Sequence, residues 1–324
     1  MTSSRRTILI DTDTASDDAV ALIMAIRSPR VDIAAITTVA GNVPVDQATR
    51  NALYTVELCG AKVPVYTGAA KPLLRELETA EWFHGLDGLS DHGFAPAARV
   101  AEPIHAVDAI IATVLANPGV EIITLGPLTN LAVAIAREPR IIANIARCVV
   151  MGGAPCCEGN VTPAAEFNIW VDPEAARIVF LSGLRIEMIG WQLSRFDAAL
   201  QDADIKRIGA LNTPLADFAI RCNSAAAAAY QVQTGEVGIS LPDPIAMAIL
   251  LDPRLSLSSS RHFVSIETNS EMTRGMTIVD RLGVTTDQRN HLVWKDVLAS
   301  AVPSDICWEL DIAGWKKALA DSLR

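Results

Sequence analysis

The chain has 324 residues, half of them hydrophobic, and a formal net charge of −10. That length buries a large core, as one big α/β domain or two small ones, and the negative balance argues against a phosphate-backbone partner such as nucleic acid. No apolar stretch is long enough to span a membrane, no leader precedes the first apolar run, and the six cysteines show no zinc-site spacing, so a reduced cytoplasm is expected.

Residues 7–10 read as a buried strand, and residues 18–26 as the helix that follows it. Between them stand Asp11, Asp13, Asp17 and Asp18, four carboxylates within eight residues. A helix-capping role explains one or two of these acids. The full set calls for a hard divalent cation, a group of sugar hydroxyls, or both. Residues 33–39 form the next predicted strand, with Asn42 just beyond its end, and residues 45–59 the next helix. A strand at 63–66 leads into a long loop, 74–96, which carries Trp82, Phe83 and His84 and reads as a lid or as a surface loop packing its own aromatics. Helices at 106–116, 128–137 and 173–181 alternate with strands at 121–125, 147–151 and 185–189. Polar groups again follow the strands: Thr129 and Asn130 after the first, then Gly152-Gly153, Asn160, Glu166 and Asn168 after the second.

Continuous apolar strands separated by helices predict an open, mostly parallel, Rossmann-like α/β sheet with helices on both faces. The pattern turns helical over 196–233, an expected cap near the site, and Pro242-Asp243-Pro244 opens another helix. Short strands are expected at 263–267, 277–279 and 291–295, within one domain spanning 1–324. Acids and amides lining one edge of one sheet describe a pocket for a hydroxyl-rich ligand around a metal.

In order along the chain, Asp11-Thr-Asp-Thr-Ala-Ser-Asp-Asp18, Thr37-Thr-Val-Ala-Gly-Asn42, Gly126-Pro-Leu-Thr-Asn130, Val150-Met-Gly-Gly153, Ala165-Glu-Phe-Asn168 with Asp172-Pro-Glu174, and Thr273-Arg-Gly-Met276 resemble the inosine-uridine-preferring nucleoside hydrolase family. The resemblance implies Ca²⁺-dependent cleavage of ribonucleosides to ribose and free base, by a metal-bound water activated by Asp13, in a homodimer or homotetramer. It implies Asp13, Asp18, Asp243 and the Leu125 carbonyl as metal ligands, with Asp11 supporting them. Asp17 and Asn168 would hold the ribose 2′- and 3′-hydroxyls, Asn160 and Glu166 the 5′-hydroxyl, and Asn42 and Met151 would line the ribose pocket.

Glycosidic cleavage through an oxocarbenium-like state needs an activated water, carboxylates beside the ribosyl cation and help for the leaving base. The chain departs from the family in the third respect. Where many members carry a histidine before the last metal-binding aspartate, and purine-specific relatives a tryptophan, this chain has Pro242. That leaves His84 as the expected acid, with Trp82, Phe83 and Tyr230 facing the base and Trp191 expected in the core. Two rivals remain at this point. One is a haloacid-dehalogenase-type phosphatase, which Asp11-Thr-Asp-Thr14 after a strand also fits. The other is a non-catalytic nucleoside or sugar binder on the same fold.

Overall fold

In the computed structural model, which describes residues 5–324, β1 (Arg6–Thr12) runs through the centre of the molecule with Ile8, Leu9 and Ile10 wholly buried. Residues 1–4, part of the segment on which the reading of no leader rests, lie outside the described residues. β1 pairs in parallel with β2 (Val31–Thr38), which pairs with β3 (Val65–Thr67). On its other side lie β4 (Val120–Thr124), β5 (Ile145–Met151) and β6 (Ile186–Ile189), all parallel. β7 (Ser256–His262) forms the far edge; β8 (Val264–Ile266) and β9 (Thr277–Val279) make a separate antiparallel pair. β10 (Ser304–Leu310) completes the sheet, parallel to β6 and antiparallel to β7. The order is β3-β2-β1-β4-β5-β6-β10-β7. The chain winds outward from β1 in one direction and from β4 in the other, so the crevice outside their carboxyl ends is the topological switch point, where open α/β sheets bind ligands.

Helices cover both faces, as the alternating pattern predicts. Helices Ser16–Arg27, Val45–Leu58, Pro242–Leu251 and Ile312–Ser322 pack on one face, and Ala106–Ala116, Thr129–Arg137 and Pro173–Phe180 on the other. Ser16–Arg27 is buried from Ser16 to Ala25, and Pro242–Leu251 from Asp243 to Leu250. This explains why both read as apolar all round rather than as a stripe. The expected cap region contains helices Asp202–Gly209, Pro214–Arg221 and Ser224–Thr234. Among the described residues no helix is long and apolar enough to cross a membrane.

The C-terminal quarter departs from expectation. Residues 291–295 are not a strand: they form turns leading into the helix Lys295–Ser300, and Leu292 and Val293 stand exposed. The apolar run there has no sheet to pair with. β7 was not legible because its sequence, SLSSSRH, is polar and mostly exposed, as an edge strand can be.

Candidate active site

The acids converge because two helices begin at the same point. Asp17 and Asp18 lie in the first turn of Ser16–Arg27, and Asp243 in the first turn of Pro242–Leu251. Both N-termini aim backbone N–H groups and positive dipole ends at this cluster, which favours negative charge there. Carboxylate oxygens of Asp17, Asp18 and Asp243 lie within 4.8 Å of one another. The Asp18 carboxyl also meets those of Asp13 and Asp243.

Each acid is held by its own donors. Thr12 Oγ1 donates to Asp18 Oδ1 at 2.5 Å, and the Ala15 N–H to Oδ2 at 3.0 Å. The Asn42 N–H donates to Asp13 Oδ2 at 2.6 Å. Asp13 is wedged so closely between Gly41 and Gly126 that a Cβ at either position collides with its carboxylate. Behind it, Asp11 Oδ1 accepts from Thr37 Oγ1 at 2.5 Å and from Asn130 Nδ2 at 2.8 Å. Burial drives these carboxyls up, Asp11 to about 7 and Asp17 to about 8, with Asp13, Asp18 and Asp243 moved in the same direction. Like-charged neighbours add to the effect at Asp13, Asp17 and Asp243.

Asp13 Oδ1, Asp17 Oδ1 and Asp11 Oδ2 are buried and have no hydrogen-bond partner. Unpartnered buried carboxylate oxygens are costly unless something positive meets them. An all-oxygen, acid-rich set fits a hard divalent cation. The grouping differs in detail from the expected ligand set: Asp17 stands within the closest trio, while the Leu125 carbonyl accepts from Asn168 Nδ2 at 2.7 Å.

A pocket opens over this cluster, lined by Asp17, Asn42, Leu125, Met151, Asn160, Glu166, Asn168 and Asp243 and by the aromatic side chains of Trp82, Phe83, His84, Trp191 and Tyr230. Asp11, Asp13 and Asp18 are not in its lining and sit beneath it. No lysine or arginine is among its lining residues. Glu166 caps the helix Phe167–Val171, accepting from the backbone of Gly153, Asn168 and Ile169. Asn160 Oδ1 accepts from Phe167 N at 2.9 Å, which leaves its amide nitrogen for a ligand.

His84 ends the short helix Glu81–His84 inside the 74–96 loop. Its Nδ1 lies 2.8 Å from Ser16 Oγ, in a hydrogen bond, and 4.0 Å from Asp17 Oδ1. Burial pushes its pKa down to about 3. Phe83 packs edge to face on both Trp82 and His84, and all three line the pocket. Trp191 is buried as expected but lines the pocket as well. Sequence reasoning missed Ser16, the partner of His84, although it lies inside the aspartate run. It also missed Ser194, Gln233 and Ser240, pocket-lining residues in or next to the cap with no motif to mark them.

The family model described as inosine-uridine preferring nucleoside hydrolase matches residues 8–303. The chain is 39% identical to the pyrimidine-specific ribonucleoside hydrolase RihA of Shewanella woodyi, covering 98% of both chains. It resembles the solved plant nucleoside hydrolase PpNRh1 with a TM-score of 0.89 at 30% identity, covering 98% of each chain. It also resembles the purine-preferring ribonucleoside hydrolase from Gardnerella vaginalis, with a TM-score of 0.86 at 28% identity over 98% of this chain and 99% of that one.

Proposed function

Because the chain belongs to the inosine-uridine preferring nucleoside hydrolase family, we propose that it uses Ca²⁺ to hydrolyse pyrimidine ribonucleosides, with Asp13 as general base. The observation that carries this reading is the convergence of buried carboxylates with unpartnered oxygens at the sheet's switch point. Asp13, Asp18 and Asp243 would hold the ion, together with the Leu125 carbonyl, and Asp11 would support them. When bound, the cation neutralises the cluster and lowers the pKa of a water at the site.

The chain's own residues then divide the work. Asp13, pinned through Oδ2 with Oδ1 free, takes the proton of the attacking water. Asp17 and Asn168 hold the 2′- and 3′-hydroxyls, and Asn160 and Glu166 the 5′-hydroxyl, with Asn42 and Met151 lining the sugar. The buried carboxylates stabilise positive charge developing on the ribosyl ring. His84 gives its proton to the departing base. Burial alone favours neutral imidazole, and the Asp17 carboxylate, once ionised, pulls the other way. Pyrimidine preference rests on the full-length likeness to a protein named for it. We further propose a homodimer or homotetramer, working in a reduced cytoplasm in keeping with six free cysteines.

The deciding experiment incubates the protein with Ca²⁺ and uridine, cytidine or inosine and assays released ribose. Uridine and cytidine should be cleaved faster than inosine. Faster inosine cleavage reverses the base preference, and absence of ribose from all three overturns the reading.

A further inference from the structure

One half-buried arginine ties together segments that carry the pocket residues Asn160, Trp191 and Tyr230. Arg195, its side chain 14% exposed, pairs with Glu236 at 2.5 Å and with Glu158. Its guanidinium also lies over the ring of Trp191, 4.9 Å from the centroid, and over that of Phe196 at 4.6 Å. Glu158 belongs to the loop that carries Asn160, and its carbonyl accepts from Trp191 Nε1 at 2.8 Å. Glu236 accepts the phenol proton of Tyr230 and, at 3.1 Å, the backbone N–H of Phe196. Phe196 is one of five non-glycine residues in the left-handed region among the described residues, at φ 53. Such a conformation persists where its surroundings over-determine it, and it clusters at ligand sites. Here Glu236 and Arg195 supply those surroundings.

We propose that Arg195 and Glu236 are positioning residues for base recognition, a clamp that sets Tyr230 and Trp191 against the nucleobase. The inference rests on the reading of the pocket as a ribonucleoside site. Since Tyr230 commits its phenol proton to Glu236, it serves the base as a wall and not as a proton source. Burial would raise Glu236, but hydrogen bonds from three residues, Tyr230, Arg195 and the Phe196 N–H, outweigh it and hold the carboxyl below the usual range. The clamp therefore stays ionised through neutral pH. It touches none of the acids beneath the sugar.

A double-mutant cycle tests this with uridine, inosine and ribose. Glu236→Gln and Tyr230→Phe should each raise nucleoside KM about tenfold, the scale of one lost charge-assisted hydrogen bond, with kcat held within about threefold. The double variant should lose clearly less than the product of the two single losses, because both act on the Tyr230–Glu236 link. The inhibition constant of free ribose should not move, which a general loosening of the fold would not allow. Losses that multiply to about a hundredfold, an unchanged KM in Glu236→Gln, or a ribose constant rising in step would each overturn the clamp. Should Glu236→Gln fail to fold, Arg195→Lys takes its place in the cycle. If the wild type cleaves neither nucleoside, the proposed function fails on its own; the cycle is then read in calorimetric Kd values for the same nucleosides, by the same criteria. Absence of nucleoside binding would overturn both.

Discussion

Asp13 shows how the chemistry of this site is built on single residues. One oxygen is fixed by the Asn42 backbone and the other is left unpartnered, with glycines at 41 and 126 leaving room for the carboxylate and little else. Asp13→Asn keeps the shape and removes the base, so kcat should fall about 10²–10⁴-fold while the circular dichroism spectrum stays native. A variant turning over at the wild-type rate would show that another group activates the water. His84 invites a comparison of leaving groups. His84→Ala should slow uridine strongly yet barely affect p-nitrophenyl riboside, whose leaving group needs no proton. Equal losses on both substrates would make His84 a positioning residue. Ser16, hydrogen-bonded to His84 Nδ1, fixes the ring, so Ser16→Ala should reproduce a milder form of the same pattern.

At the level of elements, the two buried helices Ser16–Arg27 and Pro242–Leu251 are the architecture of the acid cluster. Their N-termini ease the electrostatic cost without removing it, since burial still drives Asp11 to about 7 and Asp17 to about 8. A carboxyl whose folded pKa is raised contributes stability that is complete below its unfolded value, about 3.9, and is lost as pH climbs through the folded one. The chelated protein should therefore melt at progressively lower temperature as pH rises from about 4 to 8. Added Ca²⁺ should recover most of that loss, because it favours the ionised forms. A thermal midpoint that is flat across this range in chelator, or indifferent to Ca²⁺ at pH 8, would contradict the account. The packing of these helices is testable separately. Leu22, wholly buried, should cost about 2–5 kcal/mol on truncation to alanine, measured by denaturant unfolding.

Across the whole molecule, the charge of −10 and the composition of the pocket act in the same direction. Asp17, Glu166 and Asp243 line the pocket and neither lysine nor arginine does. A 5′-phosphate would meet carboxylates at close range in a desolvated site. Uridine should therefore be cleaved at least about a hundredfold better than uridine 5′-monophosphate, a gap of about 2.7 kcal/mol, compared as kcat/KM. Equal values would mean the 5′ position opens to solvent and Glu166 does not face it.

What the sequence alone determined is the part governed by local pattern. Apolar runs and helical periods placed the parallel sheet, and the aspartate run after β1 marked where charge would gather, because both signals sit in adjacent residues. It failed at β7, at β10 and at 291–295, where pairing with a distant strand, and not local hydrophobicity, decides what becomes a strand. Tertiary structure alone set Asp17 with Asp18 and Asp243 in a compact trio, gave His84 its serine, and assembled Arg195, Glu236, Glu158 and Tyr230 into one clamp. Each of these depends on burial and on contacts between segments far apart in the chain. Such contacts leave no periodicity behind, and a buried charge is recognisable only once its partners are in place.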